Sequence, residues 1–414
     1  MNKFIRKDIL CRICDSRNID TILKLKDTPL EEQFVGESNR HIKQESYPLE
    51  LAICNHCGYV HLPYVVNPEE SYVDYLYKSG VTPGLRSHYD EYAKKIVTKY
   101  NIKKNSLIVD LGSNDGSMLA SFKRLEMSVV GVEPAKLIAE HANQSGVETI
   151  NDFFTDEVVS KILSSYGEAK VITANYMFAN IDDIVHFTKS VENLLSEDGL
   201  FVVETGYHLE QFKIKMFDYI YHEHFSYFTV GVLSYLFNQC GLEIIDVQKT
   251  KPKGGSIRVI AQKQNSLREI LPSVAMIINN ENESDIYQHE FYRDLSESLE
   301  ALKFELTKLL KSLKAKGKSI IAFGASHSTT TLIYHFELGD YFDYIIDDNE
   351  AKHGQYSPGL HIPVFSTDKM YVDNPDYILI LAWQHKDIIC DRHSKFLENG
   401  GKFIVPLPNV CVVR

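Results

Sequence analysis

Between Asp218 and Phe228 the chain reads D-Y-I-Y-H-E-H-F-S-Y-F, eleven residues that hold two histidines, one glutamate, one aspartate, one serine and three tyrosines. Each imidazole or carboxylate buried in such a run needs a partner of its own, so the density of polar groups points to chemistry more than to packing. Imidazole accepts and returns protons near neutral pH, and general-base work is the first reading of His222 and His224. Metal ligation is a second, weakened because the two histidines are only two residues apart and no further ligand motif accompanies them. A hydrogen-bonded core histidine is the third.

Four of the seven cysteines form two C-x-x-C pairs, Cys11 with Cys14 and Cys54 with Cys57, separated by 39 residues. Two thiolates on one tight turn reach the same ion, and a second such turn completes a tetrahedral Zn²⁺ site. Four sulfurs leave no open coordination position, so the metal belongs to folding. A redox pair or ordinary buried cysteines are the other readings. The long gap requires an inserted hairpin or arm, and His56, between the last pair, is expected to point away.

A third stretch, S-L-I-V-D-L-G-S-N-D-G-S-M-L from Ser106 to Leu119, runs from an apolar, β-prone segment through a glycine turn into a helix. Glycines there let the backbone approach a ligand at the carboxyl end of a parallel strand. A second apolar run, Met127 to Val132, ends on Glu133, where a carboxylate can accept two hydrogen bonds from ribose hydroxyls. The D-x-G-x-x-x-G spacing differs from the G-x-G-x-x-G of dinucleotide binders and resembles the first motif of class I S-adenosylmethionine (SAM) methyltransferases. That resemblance implies a SAM site from Asp110, Gly112, Asn114, Asp115, Gly116 and Glu133. Asp152 and Phe153, after the third strand signal, stand where such enzymes contact adenine. A generic Rossmann domain or a nicotinamide enzyme is the alternative.

These groups need a scaffold. With 414 residues the chain predicts two to three domains. Strands alternate with helices from Leu107 to a closing pair at 242–262, which predicts a doubly wound sheet. A helical connector over 265–317 leads to S-I-I-A-F-G-A-S-H-S-T, Y-F-D-Y-I-I-D-D-N and Y-I-L-I-L-A-W-Q-H, a second Rossmann-like unit. The aromatic connector 63–86 fits interdomain packing or a pocket wall, with Tyr77 favoured for the pocket. Lys and Arg number 44 against 56 Asp and Glu, a net charge of -12, so neither nucleic acid nor an anionic membrane is an expected partner. No run approaches the length of a membrane span and the start lacks the apolar core of a signal peptide, which predicts a cytoplasmic protein.

Taken together, the cysteine pairs, D-L-G-S-N-D-G-S, Y-H-E-H-F-S-Y-F, G-G-S-I-R-V, G-A-S and D-D-N-x-A-K-x-G resemble the sugar C-methyltransferases that act on nucleotide-linked keto-deoxysugars. The resemblance covers essentially the whole chain. It implies a zinc-binding module over 1–70, a class I SAM domain over 71–263 and a C-terminal Rossmann-like domain over 264–414 on the nucleotide-sugar side of a cleft. It further implies methyl transfer to C-3 of a nucleoside diphosphate 4-keto-6-deoxysugar, with His224 as base and Tyr221, Glu223 and Tyr77 lining the sugar pocket. The chemistry agrees, because a ring C–H yields to histidine only if a neighbouring carbonyl takes the charge as an enolate.

Two positions depart from the family pattern. Its fourth strand commonly carries A-x-x-x-x-A-H-I, whereas this chain reads A-N-Y-M-F-A-N-I, so Asn180 replaces a histidine and cannot exchange protons. After Gly324 the basic pattern gives way to Ala325, Ser326, His327, Ser328 and Thr329, whose hydroxyls and helix amino terminus can still hold a diphosphate. His222, Arg258, Ser326, His327, Asp347, Asp348, Trp383 and His385 are the remaining substrate-side candidates, with a structural ion pair equally open for Arg258. Methylation of oxygen or another carbon, and a nucleotide-sugar binding protein without chemistry, are the rival functions. A small-molecule partner is expected, and a monomer is compatible with the sequence.

Overall fold

The computed structural model describes residues 5–66 and 84–414, so Tyr77 lies outside the described residues. Six short strands form the N-terminal module: β1 (Ile5–Lys7), β2 (Ile19–Lys24), β3 (Val35–Gly36), β4 (Glu50–Cys54), β5 (Val60–His61) and β6 (Tyr64–Val66). β2, β4 and β5 pair antiparallel, and β1 pairs with β6. The chain between the cysteine pairs forms the expected arm, which leaves β2, passes through β3 and returns at β4.

Next comes a seven-stranded sheet: β7 (Leu107–Leu111), β8 (Ser128–Val132), β9 (Thr149–Ile150), β10 (Ala169–Asn175), β11 (Leu195–Gly206), β13 (Leu242–Thr250) and β14 (Ser256–Lys263). Its order is β13-β14-β11-β10-β7-β8-β9, in which β14 alone runs against the other strands. Helices cover both faces, which is why β7 is buried at all five residues. Successive residues divide between them: Ile108 and Val171 pack with Tyr92 and Ile96 of the helix Leu85–Lys99, while Val109 and Ile172 pack with Ile162, Ile184 and Val191. The strand order reverses between β7 and β10, and a ligand crevice opens there at the carboxyl ends.

The segment β12 (Ser226–Tyr227) lies between β11 and β13 in sequence but belongs to another sheet. It pairs with β5, giving the order β12-β5-β4-β2 and covering an edge that the cysteine module would otherwise leave open. The histidine-rich stretch is therefore anchored as a strand of the N-terminal module.

Two helices, Pro272–Glu283 and His289–Ala315, fill the expected connector; the second buries Leu295, Leu299, Leu302, Leu306, Leu310 and Leu313 at three-to-four spacing. Beyond it lie β15 (Ile320–Phe323), β16 (Ile345–Asp347), β17 (Gln355–Tyr356), β18 (Val364–Ser366), β19 (Tyr377–Ile380), β20 (Lys402–Val405) and β21 (Cys411–Val413). The sheet β18-β16-β15-β19-β20-β21 is parallel except for β21. β17 pairs antiparallel with β3, so the N-terminal arm reaches the C-terminal unit. Among the described residues no helix is long and apolar enough to cross a membrane.

Candidate active site

One cleft of about 1860 Å³ is lined by Gly112, Asn114 and Glu133 from the seven-stranded sheet, by Tyr221 and Glu223, and by His327 and Asp347 from the C-terminal unit. A single drug-sized ligand occupies a few hundred to about 1,000 Å³, so the space admits two ligands.

At the first end, Glu133 closes β8 and accepts from the amides of Asn114 (2.9 Å) and Ala135 (2.8 Å). Burial pushes its carboxyl up while those amides pull it down. Gly112 holds φ +65, and a Cβ there would stand 2.9 Å from Met177 Cγ, so the turn needs glycine. Asp152 and Phe153 line the same end, with Phe153 40% exposed. A strand-end carboxylate beside a glycine turn fits an adenosyl group. Three expected cofactor residues do not line the cleft. Asp110 is buried beneath the turn, accepting from Thr173 Oγ1 at 2.6 Å and Asn175 Nδ2 at 3.4 Å, so it fixes the floor. Asp115 accepts from Ser117 N at 3.1 Å and serves the following helix, and Gly116 packs on Val147.

The second end repeats this arrangement. Asp347 closes β16 and accepts from the amides of Ala325 (2.6 Å) and Asn349 (2.7 Å), and Gly324 (φ +111) leaves no room for a Cβ against Ala382. Ser326 caps the helix His327–His335 through a capping box with Thr329. His327 stands between Glu32 and Glu223, 3.4 Å from each, and its imidazole is pushed up to about 9 by Glu32 and then Glu223 against the opposing effect of burial. It is a cation at neutral pH. Lys352 pairs with Glu32 and lies 3.9 Å from the Phe34 ring centroid. Glu32, Phe34 and Lys352 line the cleft and carried no local motif; only their position on the arm and on a distant loop brings them in.

Trp383 is a correction. It is 5% exposed, does not line the cleft, and donates Nε1 to Asp218 Oδ2 at 3.0 Å; its neighbours Gln384 and His385 line the cleft instead. An apolar ring after a strand is driven inward, and its one donor finds the only carboxylate of that buried turn. Burial pushes Asp218 up to about 7, opposed by the bond from Trp383. A carboxyl whose folded pKa exceeds its unfolded value of about 3.9 takes up a proton on folding, so it weakens the fold as pH rises from about 4 to 7. Asp218→Asn is expected to flatten the loss of stability across that window in urea titrations. An unchanged slope would contradict the assignment.

Asp348 is a surface group in an ion pair with Arg392. Arg258 lines the cleft but is 3% exposed and neutralised by Glu204 at 2.7 Å, with its guanidinium 3.7 Å from the Tyr92 ring centroid. The structural ion pair holds, and Arg258 offers no spare charge to a substrate. Glu204 also accepts from Tyr176 (2.9 Å) and Thr250 (3.0 Å) and bonds His88 Nε2 (2.8 Å). Sequence reading missed this cluster, which gathers five distant segments.

Within the histidine stretch, alternation decides the roles. His222 is fully buried, bonded to Glu31 Oε1 at 2.9 Å and to the Pro48 carbonyl at 3.2 Å, and does not touch the cleft. It ties the stretch to the N-terminal arm, which corrects its assignment to substrate. Tyr221 and Glu223 line the cleft. His224, like His222, is not among the residues lining the cleft; it is part-buried behind Tyr221 and Glu223, its ring 5.5 Å from Tyr221 and 4.8 Å from Tyr227 by centroid. Its Nδ1 is buried and no other residue bonds it; burial, then Lys253, pushes the imidazole down to about 3, so it is neutral at pH 7. Asn180 lines the cleft with Oδ1 unpartnered.

The four cysteines cluster with all Sγ atoms within 4.8 Å, Cys11 to Cys57 at 3.6 Å and Cys14 to Cys54 at 3.5 Å. Tetrahedral Zn–S bonds of about 2.3 Å place sulfurs about 3.8 Å apart, so the set fits the ion. Without a dication the four resist ionising together: Cys57 holds Cys11 down at about 5, while burial raises Cys14 to about 12. His56 stands against Tyr235 and outside the cluster.

Three family models match the chain in succession. One described as "Putative zinc binding domain" covers residues 11–72, a methyltransferase domain covers 85–247, and a C-methyltransferase C-terminal domain covers 251–408. C-methyltransferase NovU of Streptomyces niveus is 33% identical over 414 residues, 100% of this chain and 99% of its own length. Among solved structures, magnesium protoporphyrin IX methyltransferase (ChlM) from Synechocystis PCC 6803 with bound SAH aligns at 12% identity over 48% of this chain and 88% of its own, with a TM-score of 0.35. The plantazolicin methyltransferase BpumL aligns at 11% identity over 48% and 91%, with a TM-score of 0.37.

Proposed function

This chain belongs to the C-methyltransferases, SAM-dependent enzymes, and from that premise we propose that its acceptor is the C-3 carbon of a nucleoside diphosphate 4-keto-6-deoxysugar, deprotonated by His224. The observation that carries the reading is the pairing of two nucleoside-type cradles in one cleft, Glu133 over the Gly112 turn and Asp347 over the Gly324 turn. The first takes the adenosyl group of SAM, which supplies an electrophilic methyl on a sulfonium. The second takes the nucleoside of the acceptor, with the amino terminus of the helix His327–His335 toward its diphosphate.

The residues of the histidine stretch then meet the sugar. Tyr221 and Glu223 orient it by hydrogen bonds. His224 is neutral and its Nδ1 bonds no other described residue, so it is open to a proton from a ligand, and it gains basicity only as ligand charge offsets the burial that holds it down. Asn180 offers an unpartnered acceptor to a sugar hydroxyl.

The test is the position of the transferred group. With SAM labelled at its methyl carbon and 4-keto-6-deoxysugars on different nucleotides, carbon NMR is expected to place the label on a methyl bonded to C-3. A label on oxygen or on another carbon overturns the assignment.

A further inference from the structure

Lys253 follows β13 in the turn Pro252–Gly254 and lines the cleft. Its backbone is left-handed at φ +53, and it faces a second left-handed residue, Tyr176, at φ +56. For long or bulky side chains that conformation is uncommon and carries strain, which other contacts must hold in place. Here they do. Tyr176 donates Oη to Glu204 and its amide to the Glu204 carbonyl (2.7 Å), while Gln211 Nε2 donates to the Lys253 carbonyl at 3.1 Å. The result is an ammonium held 4.5 Å from the Tyr176 ring centroid.

That ammonium has no counter-ion. Lys249 pairs with Glu210, Arg258 with Glu204 and Lys352 with Glu32, but Lys253 pairs with no carboxylate among the described residues. It is also the charge that acts on His224. A cation beside a neutral base opposes the protonated form of that base, yet favours any anion formed next to it. The Tyr176 hydroxyl is already given to Glu204 and cannot supply the same help.

We infer that Lys253 is a catalytic residue which holds the enolate oxygen formed when His224 deprotonates the acceptor, an inference that rests on the ketone reading above. The C-3 to hydrogen bond breaks and its proton goes to the imidazole. The bonding pair becomes the C-3 to C-4 double bond, and the carbonyl π pair moves onto the C-4 oxygen, where the ammonium meets it. Charge appears at that oxygen only as the proton leaves, so the contact strengthens toward the transition state.

The experiment uses the full chain with SAM, or with its demethylated product to stop transfer, in deuterated water. Lys253→Met is expected to slow both solvent-deuterium entry at C-3 and methyl transfer by about 10²- to 10³-fold, the loss typical of removing one oxyanion donor. SAM affinity by calorimetry and the melting temperature are expected to hold. Lys253→Arg, which keeps the charge, is expected to restore much of the rate. Wild-type exchange rates in Lys253→Met overturn the inference. So does a loss confined to SAM affinity or to the KM of the nucleotide sugar, which would make the lysine a carboxylate or diphosphate holder. Absence of both exchange and transfer in the wild-type protein instead overturns the ketone reading, and this inference falls with it.

Discussion

His224→Asn is expected to lower methyl transfer by at least about 10³-fold, toward the upper range for loss of a general base, while SAM binds as before. Asparagine is smaller than histidine and keeps one polar edge, but cannot accept a proton at neutral pH. The Tyr221 and Tyr227 rings flank His224, and the shorter side chain leaves a small gap between them. The substitution breaks no bond to another residue, since Nδ1 has no such partner. The cofactor end is untouched, because Glu133 and Asn114 belong to a different turn. Single-turnover transfer and SAM calorimetry on one preparation check both halves. Turnover within tenfold of wild type would remove His224 from the role of base.

Replacing one zinc ligand, Cys54→Ser, is expected to have the second largest effect, and to reach the chemistry indirectly. A structural zinc site supplies about 10–16 kcal/mol of apparent binding free energy in isolated finger peptides. Here its loss would release both cysteine turns, and these are joined to the histidine stretch. β5 pairs with β12, Tyr59 Oη lies 2.5 Å from Ser226 Oγ, and Arg12 donates to the Phe225 carbonyl at 2.9 Å. Glu31, on the arm between the cysteine pairs, bonds both His222 Nδ1 and its amide. Metal content is therefore expected to fall from one ion per chain to none. Melting should separate into two steps, and turnover should drop at least about tenfold while SAM affinity stays near wild type, because the seven-stranded sheet carries its own core. Full activity in a metal-free protein would show that the module does not position the stretch.

Much of this was legible in the sequence where the chemistry is local. The Gly112 turn, Glu133 and the cysteine pairs are short patterns whose geometry follows from backbone sterics and ligand count, and the alternating strands and helices gave the two sheets. What stayed hidden depends on which way a side chain turns or on segments far apart in the chain. His222 and His224, two residues apart, both lie off the cleft that Tyr221 and Glu223 line, yet one is locked on Glu31 while the other packs against Tyr221 and Tyr227. Trp383 sits at the expected strand end but turns inward to Asp218. Asp115 has the right type and place for a cofactor ligand and also accepts from the amide of Ser117 in the helix beside it. Glu32, Lys352, Glu204, Tyr176 and Lys253 carry no motif, because their partners lie up to 320 residues away.

The most direct test of carbon methylation through an enolate is mass spectrometry of the protein, SAM and a panel of nucleotide-linked 4-keto-6-deoxysugars in deuterated water. A gain of one methyl, with solvent deuterium entering unreacted sugar at the carbon beside the ketone, is the predicted result. Methyl gain on a sugar that never takes up deuterium, when product forms slowly enough for exchange to register, would contradict it.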